Sequence, residues 1–178
     1  MPSSNVVDKR ALSDLGSVFD QLGVRWVLIG ALAANRYRGS ARMTEDIDVL
    51  IDDANLDPNA LEQALGARGW DVRRLDGADE LLRLRHPTLG AADVLVASTD
   101  YQRESIARAR QEALDGRPIP VLRIEDVIVH TLIAGRAQDI ADIEAILATR
   151  PAFDREYVAR WVAFWELNDR WRVVNAAE

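Results

Sequence analysis

The feature that most constrains the fold is a series of short apolar segments, each of about four to six residues, spaced along the first 122 residues. Between them lie turn-forming glycines and longer stretches in which apolar residues recur at helical spacing. Short apolar runs predict buried strands, and the periodic stretches predict helices that pack on them. The sequence predicts strands at residues 26–29, 47–51, 70–75, 80–85, 94–97 and 119–122.

The predicted elements change in character near residue 98. Helices dominate afterwards, at residues 101–114, 125–134, 139–148 and 153–172. We therefore expect an α/β (α+β) fold, in which residues 1–98 form a small mixed β-sheet core flanked by helices. Residues 99–178 are expected to form a mainly helical C-terminal lobe.

The composition excludes several kinds of site. The chain has no cysteine, which excludes disulfides, thiol nucleophiles and Cys-bound zinc, and fits a reducing compartment. Its two histidines, His86 and His130, are too few for a His-rich metal site. Lys9 is the single lysine, so mechanisms that need a P-loop, kinase or Schiff-base lysine further along the chain are excluded.

The charge balance and hydropathy bear on partners and location. The formal net charge of −7 argues against a surface built for nonspecific nucleic-acid binding. No apolar stretch resembles a signal peptide or approaches the roughly 20 residues of a membrane span. We expect a cytoplasmic protein without a membrane partner.

The segment IGALAANRYRGSARMTEDIDVLID, residues 29–52, carries the chemistry. Gly30 follows a predicted strand, and a short helix begins at Ala31. The free N–H groups of a helix N-terminus suit a phosphate, and a glycine allows its close approach. On this pattern alone, a simple turn is the more common explanation for a glycine between a strand and a helix.

Asp46 and Asp48 stand at the edge of the next predicted strand. Because strand side chains alternate, both carboxylates point to one face while Ile47 points to the other. Adjacent carboxylates repel each other, and a divalent cation between them removes the repulsion. Oxygen ligands favour Mg²⁺ or Mn²⁺. Without a third acid, two solvated carboxylates at the start of a strand are the simpler explanation of the pattern.

Asp93 is the third acid, at the start of the apolar run 94–97. If its strand lies beside that of Asp48, three carboxylates come together. Three acids can hold two metal ions for phosphoryl or nucleotidyl transfer. The sequence does not show whether these strands are neighbours.

In the order of these elements, the chain resembles the nucleotidyltransferases of the DNA polymerase β-like superfamily. The upstream glycine followed by RMTEDID at residues 42–48 is similar to the minimal bacterial group that includes the AbiEii/AbiGii toxins of abortive-infection systems. The helical segment EDVIVHTLIAGRAQDIADIEAIL, residues 125–147, also resembles that group. The resemblance covers about residues 24–150.

The resemblance implies transfer of a nucleoside monophosphate from an NTP such as ATP to a hydroxyl, with Mg²⁺ or Mn²⁺. It implies that Asp46, Asp48 and Asp93 are catalytic and bind the metal. The residues implied in nucleotide binding are Gly30, Ala31, Arg42, Thr44, Thr131, Arg136 and Asp139. The implied acceptor is RNA, a protein or a small molecule, and the implied partners are a cognate antitoxin or a second copy of the chain.

Two positions depart from the pattern of this group. Ala31 stands where the group usually has a second glycine or a serine, so a phosphate-binding hydroxyl is missing. Thr131 stands where the group usually has a lysine. The departures predict a slow enzyme, or one that uses a nearby arginine instead, for which Arg136 is the best candidate.

Several alternatives remain open at this stage. Arg136, Asp139 and Asp142 share a helix face and serve either as a helix start, with Asp139 as the cap, or toward the active site. An aromatic stripe at helical spacing favours packing in the core, and a surface for a partner is the alternative. Its members are Tyr157, Trp161, Phe164 and Trp165. The arginines at positions 83, 85, 103, 108 and 110 indicate either a solvated face or an acceptor groove.

The rival functions are an aminoglycoside- or lincosamide-type nucleotidyltransferase of similar length and a nucleotide-binding regulator without turnover. A glycosyltransferase also uses an Asp-x-Asp pair, but it would leave the upstream glycine and helix unexplained. The histidines are expected to be structural, with His130 half-buried in an apolar helix.

Overall fold

A computed structural model describes residues 8–52, 57–75, 77–114 and 116–175. In this part of the chain, seven strands form one mixed sheet: β1 (Arg25–Leu28), β2 (Asp46–Asp52), β3 (Asp71–Leu75), β4 (Ala78–His86), β5 (Gly90–Val96), β6 (Arg110–Leu114) and β7 (Arg117–Val121). The helices described are α1 (Lys9–Gln21), α2 (Gly30–Ala34), α3 (Pro58–Ala67), α4 (Asp100–Ala107), α5 (Ile124–Ala134), α6 (Ala137–Leu147), α7 (Arg155–Phe164) and α8 (Asn168–Asn175).

The chain divides into two compact units. Unit 1 comprises the residues up to Leu28 and Met43–Val121, and unit 2 comprises Ile29–Arg42 and the residues from Leu122 onward. Unit 1 holds the whole sheet with α1, α3 and α4, whereas unit 2 consists of α2 and α5 to α8. The predicted α/β class with a small mixed sheet and helices is confirmed. The domain boundary at residue 98 stays a prediction.

The sheet of unit 1 has the strand order β3-β4-β5-β2-β1-β7-β6. The pairs β2/β5 and β1/β7 are parallel, and the other pairs are antiparallel. Buried apolar side chains alternate with more exposed ones in β5 and in the second half of β4, whereas three consecutive apolar residues are buried in each of β1 and β2. The buried members on one face are Ile47, Val49, Ile51, Leu82, Leu84, Ala92 and Val94.

Helix α1 packs closely on β1 inside unit 1. It begins after Asp8, whose carboxylate accepts a hydrogen bond from the backbone N–H of Arg10 at 2.9 Å. Gly16 of α1 faces Trp26 of β1, and a Cβ atom at Gly16 would lie 2.6 Å from the indole ring. Helix α1 can therefore pack this closely on β1 only because position 16 has no side chain.

The predicted helix over residues 101–114 is wrong in its second half. Helix α4 begins with a capping box between Thr99 and Gln102 and ends at Ala107, and β6 begins at Arg110. Strand β6 pairs with β7 in an antiparallel hairpin, with Glu112 opposite Ile119. The charged composition of this stretch suits a helix, but pairing with the next strand overrides that local preference.

Unit 2 is built around α5. Its buried residues include Asp126, whose carboxylate accepts a hydrogen bond from the Tyr157 hydroxyl of α7 at 2.7 Å. Helix α5 ends at Gly135, whose φ of +63° places it in the left-handed region that favours glycine. The helix predicted over 153–172 is divided into α7 and α8, with Glu166 at a φ of +55° between them.

No helix in the described ranges combines the length and the apolar composition that a membrane crossing requires.

Candidate active site

Strand β2 presents two carboxylates on one face of the sheet. Ile47 and Val49 are buried on the opposite face, so Asp46 and Asp48 project together from the polar face. Asp46 is exposed and Asp48 is half-buried. The alternation that the sequence predicts for this strand is therefore present in unit 1.

Asp93 lies directly beside Asp48. Strands β2 and β5 are parallel neighbours, and their register pairs Asp48 with Asp93 and Asp46 with Ala91. Neighbouring strands are about 4.8 Å apart, and paired residues project from the same face. The register thus places three aspartates on one patch of this face, with Ala91 opposite Asp46.

The side chain of Asp93 is held by an arginine of the next strand. The Nε–H of Arg83 in β4 donates to Asp93 Oδ1 at 3.2 Å, and the two residues are cross-strand partners. In the described residues, no three acidic or histidine side chains converge closely enough to form a ready metal cluster. The donor chemistry of three carboxylates fits a hard divalent cation, whereas Asp93 is turned to Arg83.

Thr44 precedes β2 and contacts its first residue. The Thr44 hydroxyl donates to the backbone carbonyl of Asp46 at 3.4 Å. This contact supports the start of the strand, and the role of Thr44 in nucleotide binding stays a prediction.

Arg42 is bound within unit 2 to a buried acid of α6. Its Nε and Nη2 groups donate to both oxygens of Asp142, at 3.0 to 3.1 Å. Arg38 donates to the same carboxylate, which exposes only 4% of its side chain. Asn35 adds two hydrogen bonds to the backbone of Arg42, from Nδ2 to the carbonyl at 2.8 Å and from the N–H to Oδ1 at 3.0 Å.

Gly30 begins α2 with a φ of +64°, which a residue with a side chain rarely adopts. This conformation explains the glycine without reference to a ligand. Ala31 is buried, and its backbone carbonyl accepts a hydrogen bond from the N–H of Asn35 at 2.9 Å. The roles of both residues in nucleotide binding stay predictions.

Thr131 and Arg136 belong to different helices. Thr131 is half-buried near the end of α5, and Gly135 terminates that helix before Arg136. Arg136 precedes α6, and its guanidinium binds Asp139 at 2.8 and 3.0 Å. A left-handed glycine redirects the chain between them, as the predicted end of the helix at residue 134 requires, and the use of Arg136 in place of a lysine stays a prediction.

Asp139 supports the start of α6, but from the third helical position rather than as the cap. Its carboxylate accepts a hydrogen bond from the backbone N–H of Arg136, which is the residue at the N-cap. Asp142 does not share this task, since it binds Arg38 and Arg42. Arg136 and Asp139 therefore bind each other, whereas Asp142 binds two arginines from an earlier part of the chain.

Both histidines have structural surroundings. His86 ends β4, where its Nδ1 accepts from the N–H groups of Thr88 and Leu89 at 3.2 and 3.1 Å. His130 lies in α5, and burial of its ring lowers its pKa to about 4. His130 is therefore neutral at neutral pH.

Sequence reasoning missed the specific tasks of two arginines. Arg38 was not singled out, although it shares Asp142 with Arg42. Arg83 appeared only within a group of exposed arginines, and the structure shows that it contacts Asp93. The alternating pattern of β4 places Arg83 on a polar face, but only the register with β5 assigns its partner.

The comparison with protein families identifies a match over part of the chain. Residues 10–88 match the family described as nucleotidyl transferase AbiEii toxin of a type IV toxin–antitoxin system. The matched segment includes Gly30 and the Asp46–Asp48 pair and ends before Asp93. No protein of curated function matches the chain in sequence.

Solved structures share the fold. The lincosamide antibiotic adenylyltransferase LnuA, determined with lincomycin bound, has a TM-score of 0.59 at 18% identity, over 80% of this chain and 98% of that chain. The antibiotic-resistance factor ANT(2'')-Ia has a TM-score of 0.61 at 18% identity, over 95% and 97%. An antigenic nucleotidyltransferase-like protein from Paracoccidioides brasiliensis has a TM-score of 0.57 at 18% identity, over 96% and 91%. The fold that the resemblance to nucleotidyltransferases implies is confirmed.

Proposed function

We propose that this chain is a nucleotidyltransferase of the DNA polymerase β-like type, and that it transfers a nucleoside monophosphate from an NTP to a hydroxyl group with the help of Mg²⁺ or Mn²⁺. The observation that carries the proposal is the register of β2 and β5, which pairs Asp48 with Asp93 on the face that also carries Asp46. The match of residues 10–88 to the AbiEii family supports the same reaction.

Asp46 and Asp48 are the residues that would hold the divalent cation, because they share one face of a single strand. The cation, when bound, supplies positive charge to the triphosphate and to the attacking oxygen. The carboxylate of Asp46 is exposed and would be accessible to a nucleotide-bound cation. The half-buried Asp48 would supply the second carboxylate ligand.

The reaction joins the acceptor oxygen to the α-phosphorus and breaks the bond from that phosphorus to the bridging oxygen. Pyrophosphate leaves with the bonding electron pair, and the hydroxyl proton passes to a base. We assign to Asp93 both the acceptance of this proton and the completion of a second cation site, on the ground that it lies on the strand beside Asp48. The roles of Gly30, Ala31, Arg42, Thr44, Thr131, Arg136 and Asp139 in holding the nucleotide belong to this proposal as predictions.

Binding of Mn²⁺ tests the metal site. Isothermal titration calorimetry with Mn²⁺ and a non-hydrolysable NTP should give binding that Asp46→Asn and Asp48→Asn each weaken at least about tenfold, because each removes one charged ligand. Asp100→Asn is the matched control, since Asp100 is fully exposed in α4 and its loss changes the net charge equally. Equal binding by the aspartate variants and the control would exclude the metal site.

The kinetic role of Asp93 is tested separately. If Asp93 acts as the base, Asp93→Asn should lower the rate of labelled nucleotide transfer by about a hundredfold or more. The NTP affinity of the same variant should change less than that of Asp48→Asn. A variant that loses NTP binding while retaining its turnover would assign Asp93 to the nucleotide instead.

For the biological role, we propose a toxin that a cognate antitoxin controls, because residues 10–88 match the AbiEii toxin family. The acceptor of the nucleotide is then RNA, a protein or a small molecule. Incubation with α-labelled NTPs and separate pools of RNA, of protein and of antibiotics distinguishes the acceptor classes. Label in the antibiotic pool would favour the activity named for the lincosamide enzyme of the same fold, which this chain covers almost completely. NTP binding without transfer to any pool would favour a regulator without turnover.

A further inference from the structure

A row of four charged residues crosses four neighbouring strands of unit 1. The registers place Arg73 of β3 beside Arg83 of β4, Arg83 beside Asp93 of β5, and Asp93 beside Asp48 of β2. All four residues therefore project from one face of the sheet. The row runs from positive to negative charge toward the proposed metal site.

The middle of this row holds two carboxylates at one level of adjacent strands. Like charges directly opposite on neighbouring strands destabilise a sheet, and a cation on the other side offsets the repulsion. Arg83 supplies that cation, with its Nε 3.2 Å from Asp93 Oδ1. Its side chain is 45% exposed, so water can hydrate the guanidinium once it leaves Asp93.

Resting on the proposed function, we infer that Arg83 is a positioning residue that holds Asp93 by an ion pair and releases it when a divalent cation binds beside Asp48. The two cations compete for the carboxylate of Asp93, because Arg83 already occupies Oδ1 and its positive charge repels a second cation that approaches the same group. Without a metal, Arg83 holds Asp93 through Oδ1, which agrees with the lack of a closed acidic cluster among the described side chains.

Removal of Arg83 changes the affinity for Mn²⁺ in opposite directions in the two cases, competition with the metal and structural support of Asp93. If Arg83 only kept Asp93 in place for the metal, its removal would weaken metal binding. If Arg83 competes, Arg83→Gln should bind Mn²⁺ more tightly. An exposed ion pair contributes little, so we expect a decrease in the Kd for Mn²⁺ of about threefold, within a range of about two- to fivefold.

Arg73→Gln is the matched control. Arg73 pairs with Asp71 at 2.9 Å and lies two strand spacings from Asp93, about 9.6 Å. Charges at that distance are largely screened at physiological ionic strength, with a Debye length of about 8 Å. The control removes the same charge from the same face and should leave the Kd for Mn²⁺ within about 1.5-fold of its original value.

The experiment measures free Mn²⁺ by electron paramagnetic resonance during titration of the original protein, Arg83→Gln, Arg73→Gln and Asp48→Asn. Tighter binding by Arg83→Gln alone is the expected result, and the Mn²⁺ concentration that gives half-maximal nucleotide transfer should fall in parallel. Unchanged or weaker binding by Arg83→Gln, or an equal gain in Arg73→Gln, overturns the inference. If Asp48→Asn binds Mn²⁺ as tightly as the original protein does, the proposed metal site itself is overturned.

Discussion

Replacing Asp142 by alanine should lower the free energy of unfolding by about 3 kcal/mol. The carboxylate exposes only 4% of its surface and accepts hydrogen bonds from both Arg38 and Arg42. Removing one partner of a buried ion pair costs about 3–5 kcal/mol, because the remaining charge is left without compensation. The two arginines expose 13% and 28% of their side chains, so water partly rehydrates them and the lower end of this range applies.

Urea unfolding followed by circular dichroism measures this change. Asp169→Ala is the control, since Asp169 forms an ion pair with Arg172 at 2.8 Å but exposes 93% of its side chain. Such an exposed pair contributes at most about 1 kcal/mol. Arg42→Ala should cost less than Asp142→Ala, because the carboxylate keeps Arg38. The reasoning is refuted if Asp142→Ala and Asp169→Ala are equally stable.

Three further outcomes are expected. Gly16→Ala should destabilise the protein by about 1–3 kcal/mol in thermal unfolding, because the added Cβ would meet the ring of Trp26. Gly66→Ala is the control, because position 66 of α3 has open space for a Cβ, and it should stabilise the protein by about 0.5–1 kcal/mol. The folded pKa of His130, about 4, lies below its ordinary value of 6.5, so its contribution to stability is complete above pH 6.5 and is lost as the pH falls toward 4. His130→Gln should remove about 2 kcal/mol of the stability difference between pH 7 and pH 5 in urea unfolding, and an unchanged difference would contradict the assignment. Thr131→Lys should raise labelled nucleotide transfer by about tenfold if this position contacts the triphosphate, whereas an unchanged rate would separate it from the phosphates.

The elements that sequence reasoning located well are those with a strong local signal. Strands β1, β2 and β5 contain apolar runs bounded by glycine or acidic residues, and α5 ends at the glycine that predicted its end. Residues 101–114 lacked such a signal. Their composition suits a helix throughout, and only the pairing of β6 with β7 decides where the strand begins.

The arrangement of the site depends on contacts between distant parts of the sequence. Asp48 and Asp93 are separated by 44 intervening positions and become neighbours through the parallel pairing of β2 with β5. Arg42 and Asp142 are 100 residues apart. Residue types and alternation select candidates at each position, but no local pattern determines which strands pair or which helix receives an arginine.

The residues of the motif separate by their physical roles once these contacts are known. Gly30 is explained by its left-handed backbone, Arg42 by its bidentate bond to Asp142, and Asp139 by the start of α6. Loss of transfer activity in variants of these residues therefore follows from lost stability as readily as from lost chemistry. The carboxylates of Asp46 and Asp93 lie on an accessible polar face, where substitution changes little packing. Comparing transfer rates with unfolding free energies across both groups consequently isolates the chemistry, because only the second group should lose activity at unchanged stability.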